Sequence, residues 1–310
     1  MKRKNFIKRM TMPLPELEEY YRERRKDRFE NEDSFSGVNL RKIFHPLALG
    51  LLKIMALLTH QRVTVVADNR IPTNRPVIFA STHIGWDDPA IAFLAIRDHA
   101  YLFWGDPKCS YKTIDGFFMD LNGTIICDTD NKEDRHIGKQ NCIRWLQQGG
   151  NLLIFPEGAW NVTENLPVMP FFAGAAEMAI LTGAEIVPIA FEKYGKDFHV
   201  NIGKNISCTN FELSQKQELT DLLRDSLATL KWEIWSRMSL ESRSSIPDGY
   251  GKQYLQGFVD QMADDSYSIE AIEITRFHTK AEIAQKEVAA HLDRLIPCRE
   301  NAFLFGRQNS

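Results

Sequence analysis

The chain lacks most of the features that would place it in a specialised class. It has only five cysteines, Cys109, Cys127, Cys142, Cys208 and Cys298, at wide and irregular intervals. None forms a CxxC pair or has a histidine at finger spacing, which excludes a disulfide framework and a zinc knuckle. Scattered thiols in odd number fit a reducing cytoplasm, where cysteine is mostly a small buried apolar group. Neither charge sign is in excess: 38 Lys and Arg stand against 41 Asp and Glu, for a net charge of -3. The total therefore makes no case for nucleic acid as a partner. Long apolar runs are missing too. The best is Ile43 to Leu58, interrupted by His45, Pro46 and Lys53, and it falls short of the roughly twenty apolar residues of a spanning helix. The basic stretch from Met1 to Met10 is not followed by an apolar core and a cleavage site, so it does not read as a signal peptide. Without a secretion signal, the sequons at Asn161 and Asn205 carry no weight.

What is present suffices for a folded domain. Hydrophobic residues at 44% and charged residues at 25% match globular proteins, so a core is expected and global disorder is not. Residues 1–60 read as a charged helix over Glu16–Glu30 followed by the apolar Ile43–Leu58 helix. The cations Arg22, Arg24, Arg25, Lys26 and Arg28 either meet anionic headgroups or form a solvated helix face held by pairs four residues apart. The apolar helix either caps the core or lies in a membrane interface. Residues 61–210 alternate short β-rich runs with helical ones. Strands are expected at Val63–Ala67, Val77–Ser81, Tyr101–Trp104, Thr124–Cys127, Asn151–Phe155, Glu185–Phe191 and Phe198–Ile202, with helices at Pro89–Arg97, Glu133–Gln148 and Phe171–Leu181. This alternation predicts an α/β fold with a mixed, largely buried sheet flanked by helices. Such sheets hold ligands beyond their strand ends. Residues 211–310 read as a helical C-terminal extension, with helices over Gln215–Met238 and Thr279–Leu295 and a connector over Ser239–Gly251.

Two loops carry chemistry. His83 follows the strand PVIFAS, and Asp88 lies five residues on. A neutral imidazole can remove a proton near neutral pH, and a carboxylate on its other nitrogen fixes the tautomer. The plainer alternative is a loop histidine beside an N-cap, since Asp88 precedes Pro89 as a cap precedes a first-turn proline. Glu157 and Gly158 end the apolar strand Leu152–Phe155. Glu157 can accept hydrogen bonds from hydroxyls and Gly158 lets a ligand approach the backbone; the alternative is a solvated strand-exit turn. Two weaker features are Gly123-Thr124-Ile125-Ile126-Cys127-Asp128 and the strand around Pro188, whose proline suggests an edge or a bulge.

The order of these motifs, His-x4-Asp, Gly-x-Ile, Phe-Pro-Glu-Gly and Ile-Val-Pro-Ile, resembles the glycerolipid acyltransferase family (the 1-acylglycerol-3-phosphate acyltransferase group) over residues 60 to 205. The resemblance implies an acyltransferase with His83 as base and Asp88 as its partner. Asp128, Glu157 and Gly158 would line the acceptor site and Pro188 would shape the cleft. It implies no metal and no organic cofactor, with acyl-CoA or acyl carrier protein as co-substrate. The acceptor would be a lipid at a membrane surface, and the protein peripheral to the cytoplasmic face. The match departs at Thr129, Ala159, Trp160 and Phe172, where phosphate-using members carry arginine, threonine or lysine, which points to an acceptor headgroup other than a simple glycerol phosphate. Two other classes stay open: a non-catalytic lipid-binding protein on the same fold, and a metal-dependent hydrolase using His83, Asp88, Asp128 and Glu157, although no ligand-type spacing supports the latter.

Overall fold

The computed structural model describes residues 6–31, 38–105, 111–112, 122–163, 166–238, 243–260 and 268–277. The helix expected over Thr279–Leu295 lies outside them, as do Cys109 and Cys298.

All seven expected strands form: β1 (Arg62–Asp68), β2 (Val77–Ser81), β3 (Tyr101–Gly105), β4 (Thr124–Cys127), β5 (Leu152–Ile154), β6 (Glu185–Tyr194) and β7 (Asp197–Ile202). They make one mixed sheet in the order β1-β7-β6-β2-β5-β3-β4. Every neighbouring pair is parallel except the β6–β7 hairpin. The helices are α1 (Phe6–Thr11), α2 (Leu14–Asn31), α3 (Val38–Leu58), α4 (Asp88–Ile96), α5 (Lys132–Gln147), α6 (Gly174–Thr182), α7 (Lys216–Ser236), α8 (Tyr250–Asp260) and α9 (Ile269–Thr275). The last two, C-terminal to the connector, were not legible in the apolar pattern.

The core is two layers, one on each sheet face. Alternation along β2 sends Ile78 and Ala80 toward Trp145 of α5, Met178 of α6 and Leu227 of α7. Val77 and Phe79 go the other way, toward Ile91 and Phe93 of α4. All five β2 residues are buried, as expected for a parallel strand covered on both sides.

Pro188 corrects one expectation. It does not lie on an edge strand: β6 is interior, between β7 and β2, and Pro188 pairs with Ala80 in an unbroken register. On the β7 side the pairing slips by one residue between Ile186–Ile206 and Ile189–Ile202, an irregularity of the kind the proline suggested. The missing donor is harmless because of where it falls. Pro188 faces β7 just past the end of that ladder, between the Ile186–Ile206 bridge and the Ile189–Ile202 pair. There its carbonyl accepts from Gly203 N–H at 2.9 Å.

The charged N-terminal helix also departs from expectation. Three of its cations grip the segment from the end of β4 to the start of α5 rather than facing solvent as a free stripe. Arg25 reaches Asp134 with Nε at 3.0 Å from both carboxylate oxygens and Nη2 at 2.7 Å. Arg22 pairs with Asp128 at 2.8 Å and Lys26 with Glu133 at 2.6 Å. Among these three, Arg22 also pairs within the helix, with Glu19 three residues away rather than four.

The α3 helix caps the core with one side, as one of the two readings expected. His45 and Ala48 are buried, and Leu49 and Leu52 pack on the core layer containing Phe93. On the opposite side Ile43, Leu47, Ile54 and Leu58 are 71%, 55%, 55% and 73% exposed, at spacings that form one stripe.

The Arg25–Asp134 pair supplies a test of the clamp. Arg25→Met leaves Asp134 as a buried carboxylate without its cation and should cost about 3 kcal/mol. The loss should appear as a lower urea midpoint at unchanged slope; an unaltered midpoint would mean the pair does not hold α2.

Candidate active site

Parallel pairing brings the ends of β2, β5, β3 and β4 to the same edge of the sheet, so the residues that follow them share one side. The last rungs of β2 are tied to β6: Thr82 N–H donates to Ile189 O at 3.0 Å, and Phe191 N–H to Thr82 Oγ1 at 3.1 Å. His83 is the first residue to leave the sheet.

The loop after β5 holds the His83 peptide at both ends. His83 N–H donates to Glu157 Oε1 at 2.9 Å, and His83 C=O accepts from Asn161 N–H at 2.7 Å. The imidazole stacks on Phe155, with centroids 4.4 Å apart, and meets the edge of Trp160 at 6.1 Å. Its Nδ1 lies 2.7 Å from Asp88 Oδ2. A carboxylate has no proton to give, so Nδ1 carries the hydrogen and Nε2 keeps its lone pair. The imidazole is 20% exposed while the Asp88 side chain is 1% exposed, so the base faces outward and its partner inward.

Asp88 does not cap α4 in the expected way. The helix begins at Asp88 itself and the N-cap position falls on Asp87, whose side chain makes no cap bond. The Asp88 carboxylate turns back instead, and the same Oδ2 accepts from Ile84 N–H at 2.5 Å and Gly85 N–H at 2.9 Å. Those bonds curl the loop so that a five-residue separation closes on His83. Burial raises the Asp88 carboxyl's pKa, against the opposing pull of the His83 bond.

Glu157 is not a solvated turn residue. It is completely buried, and its second oxygen accepts from Met169 N–H at 2.9 Å. With both oxygens committed to backbone donors, it stands behind His83 and is not free to reach a hydroxyl. Burial pushes its carboxyl up to about 7. Gly158 is the exposed member of this turn. Its φ of +71° favours glycine, and a Cβ would overlap the Phe172 ring.

Asp128 and Pro188 are not gathered here. β5 and β3 separate β4 from β2, which places the β4 end about 14 Å from β2 at ordinary strand spacing. Asp128 is buried there against Arg22. Pro188, opposite Ala80, lies within the sheet below the site.

Several neighbours were missed. Phe155 and Trp160 lie within the strand-exit motif, and their aromatic character was the signal available for the imidazole's slot. The covering by α8 and α9 had no such signal. Val259 and Ile272 are buried with Trp160, Val162 and Met169, and Trp86 and Leu255 pack alongside. Phe277 meets Phe172 at 5.0 Å.

A family model described as Acyltransferase matches residues 62–192, the span that contains both loops. Over that span the α/β domain matches the acyltransferase family. No curated protein sequence matches this chain. Among solved structures, the 1-acyl-sn-glycerophosphate (LPA) acyltransferase PlsC from Thermotoga maritima is similar at 16% identity, over 71% of this chain and 91% of that one, with a TM-score of 0.54. That likeness shows a shared fold. The acyltransferase match ends at Glu192, within β6, so β7 and α7–α9 lie beyond it.

The raised Glu157 carboxyl sets a pH dependence of stability. Its proton is held more tightly in the folded than in the unfolded chain, so this group's contribution is present below its ordinary value of 4.5 and is lost as pH rises to about 7. The difference amounts to about 3 kcal/mol. Glu157→Gln carries no such ionisation. Urea unfolding on either side of that window should show a smaller pH-dependent loss in the variant, and parallel curves would refute the assignment.

Proposed function

We propose that this acyltransferase moves a fatty acyl group from a thioester, of coenzyme A or acyl carrier protein, to a hydroxyl of a lyso-lipid or related glycerolipid-like acceptor. The observation that carries the reading is the 2.7 Å bond from His83 Nδ1 to a buried Asp88, on a histidine whose peptide is anchored at both ends. Nε2 takes the proton of the acceptor hydroxyl as its oxygen attacks the thioester carbonyl. Asp88 stabilises the imidazolium that forms. Backbone N–H groups of the adjoining loops stabilise the oxyanion. Collapse expels the thiolate, which recovers the proton from Nε2–H. The scheme needs no acyl-enzyme and no cofactor beyond the thioester.

Of the residues expected to line the acceptor site, the exposed Gly158 suits the lining, while Glu157 and Pro188 act from behind it. The headgroup we favour is not a simple glycerol phosphate. The relative of like fold is described as acting on 1-acylglycerol phosphate, but here two of the three cations of the neighbouring segment, Lys132, Arg135 and Lys139, are engaged: Arg135 donates to the Thr129 carbonyl, and Lys139 pairs with Glu177 at 2.8 Å. A phosphate without such partners is poorly held. The hydrolase alternative fares worse. Among the described residues no group of three or more His, Cys, Asp or Glu is arranged as metal ligands; Asp128 stands three strands from His83 and both Glu157 oxygens face backbone N–H groups.

The test is thiol release from palmitoyl-CoA and an acyl carrier protein thioester, with a panel of lyso-lipid acceptors. His83→Ala should lose acceptor-dependent release by about a thousandfold or more with its circular dichroism unchanged. Equal activity in the two proteins would sink the reading and favour a lipid-binding role, and selective turnover of lysophosphatidic acid would overturn the headgroup assignment.

Docking at the cytoplasmic face of a membrane follows from where such an acceptor resides. Among the described residues no helix is long and apolar enough to cross a membrane. The exposed stripe of α3, flanked by Lys42 and Lys53 on the same exposed surface, supplies apolar area and charge for an interfacial helix. Leu47→Glu with Leu58→Glu should abolish flotation with anionic liposomes and leave the thermal midpoint near wild type. Undiminished flotation would move the docking surface elsewhere.

A further inference from the structure

The end of the sheet opposite the active site holds two histidines that the acyl-transfer scheme does not use. His45 of α3 and His99, between α4 and β3, are 6% and 8% exposed, and their rings meet edge to face with centroids 5.3 Å apart. Asn122, two residues before β4, joins them. Its Nδ2 donates to Ala100 O at 3.1 Å, which turns Oδ1 toward His45 Nδ1 at 2.8 Å. Its main-chain carbonyl lies 2.9 Å from His99 Nε2. Both of these oxygens only accept, so His45 carries its hydrogen on Nδ1 and His99 carries its own on Nε2. The other ring nitrogens, His45 Nε2 and His99 Nδ1, are buried lone pairs with no hydrogen-bond partner among the described residues.

A proton can enter this cluster only at those two lone pairs. There it makes a cation walled by Phe93, Tyr101 and Trp145, and a buried charge without an acceptor is costly. The described charges that face the cluster are mostly of the wrong sign: Lys42 of α3, and Arg41, whose guanidinium lies over the Tyr101 ring at 5.7 Å. Asp98 is the exception, and its Oδ1 already accepts from the His99 N–H at 2.9 Å. The residues that α4, α5 and the approach to β4 present, Phe93, Trp145 and Asn122, bear no charge. Burial holds the His99 ring below its usual 6.5; the Asn122 carbonyl opposes this, His45 and Lys42 add to it, and Asp98 opposes it. His99 is held in place by Asn122 and by Asn151, whose Nδ2 donates to its C=O at 3.2 Å. Helix α3 is the part able to give way. Pro46 follows His45 inside the helix and cannot donate to the Lys42 carbonyl, so α3 is weakest at this turn.

We propose that His45, Asn122 and His99 form a proton-operated latch, which seats the start of α3 on the sheet while both rings are neutral and releases it about Pro46 when His99 takes a proton. Water reaches the new N–H only if the His45 side of α3 lifts away. The folded ring binds its proton less tightly than the unfolded one, so the latch's contribution is full above 6.5 and is lost as pH falls below that value. The same helix carries the outer stripe read above as the membrane contact. An anionic surface at about −30 mV lowers the local pH by about half a unit, so docking favours opening. Only this last step rests on the docking reading.

The experiment follows amide hydrogen exchange of the full chain from about pH 7.5 to about pH 5, with rates corrected for the intrinsic effect of pH. Wild-type protection over residues 41–52 should fall about tenfold across that range while β2 keeps its own. His99→Gln keeps a donor for the Asn122 carbonyl and takes no proton, so its protection should stay level. His45→Ala loses the bond to Asn122 and should already be about tenfold less protected at the upper pH. An acid loss that persists in His99→Gln, one shared equally by β2, or full protection in His45→Ala would overturn the latch. If His99→Gln does not fold, the wild-type His99 ring signal decides: its magnetic resonance titration should share the midpoint of the exchange transition, and separate midpoints would refute the proposal. Anionic vesicles should raise that midpoint by about half a unit and zwitterionic ones should not. Anionic vesicles that bind without moving it would remove the membrane step. If no vesicles bind, the docking reading is what fails, and exchange in solution still tests the latch.

Discussion

The site depends on one constraint: the peptide of His83 is bonded at both its N–H and its C=O by the loop that leaves the neighbouring strand. A side chain can be no better placed than the backbone that carries it. Here the backbone is fixed on one side by the β6 rungs at Thr82 and on the other by Glu157 and Asn161. The imidazole then has little freedom left, and Phe155 stacking with the Asp88 bond removes most of it. Because Glu157 is dry, its hydrogen bonds meet no competition from water, which makes them strong and also makes its charge state matter.

The same division between exposed and buried runs through the outer helices. The α2 cations look like a surface charge run, yet Arg25 is spent on Asp134 at the start of α5 and Arg22 on Asp128. This clamp fastens α2 to the β4 end of the sheet. The α3 helix is apolar around much of its circumference, with one side closing the core and the other facing outward. A helix of that kind has no strong polar face, which is why the sequence alone left open whether it caps the core or lies in a membrane interface.

The C-terminal third reads from its sequence as a helical extension. Its helices instead complete the site's surroundings, with α8 and α9 packing on Trp160 and Met169 and α7 bringing Lys231 and Trp235 to Glu192. None of these residues belongs to a local motif. Lys231 is a single lysine on an amphipathic helix, a position where a snorkelling surface lysine is the ordinary expectation.

By itself the sequence determined the strands, the core-facing helices of the α/β domain, the two loops and the pairing of His83 with Asp88. Those depend on interactions within a few residues: the alternation of Val77–Ser81, the apolar run before Pro156, the Gly85 turn that lets Asp88 fold back. Only the tertiary structure decided which expected site residues meet. Strand order separates Asp128 from His83 and brings Glu157 directly behind it, and order along a sheet is set by crossovers that leave no local signal. It also decided that Glu157 is buried, that Pro188 is interior, and that Arg25 is paired. Burial and partnership are properties of whichever distant segment covers a residue, and that information is spread over the whole chain.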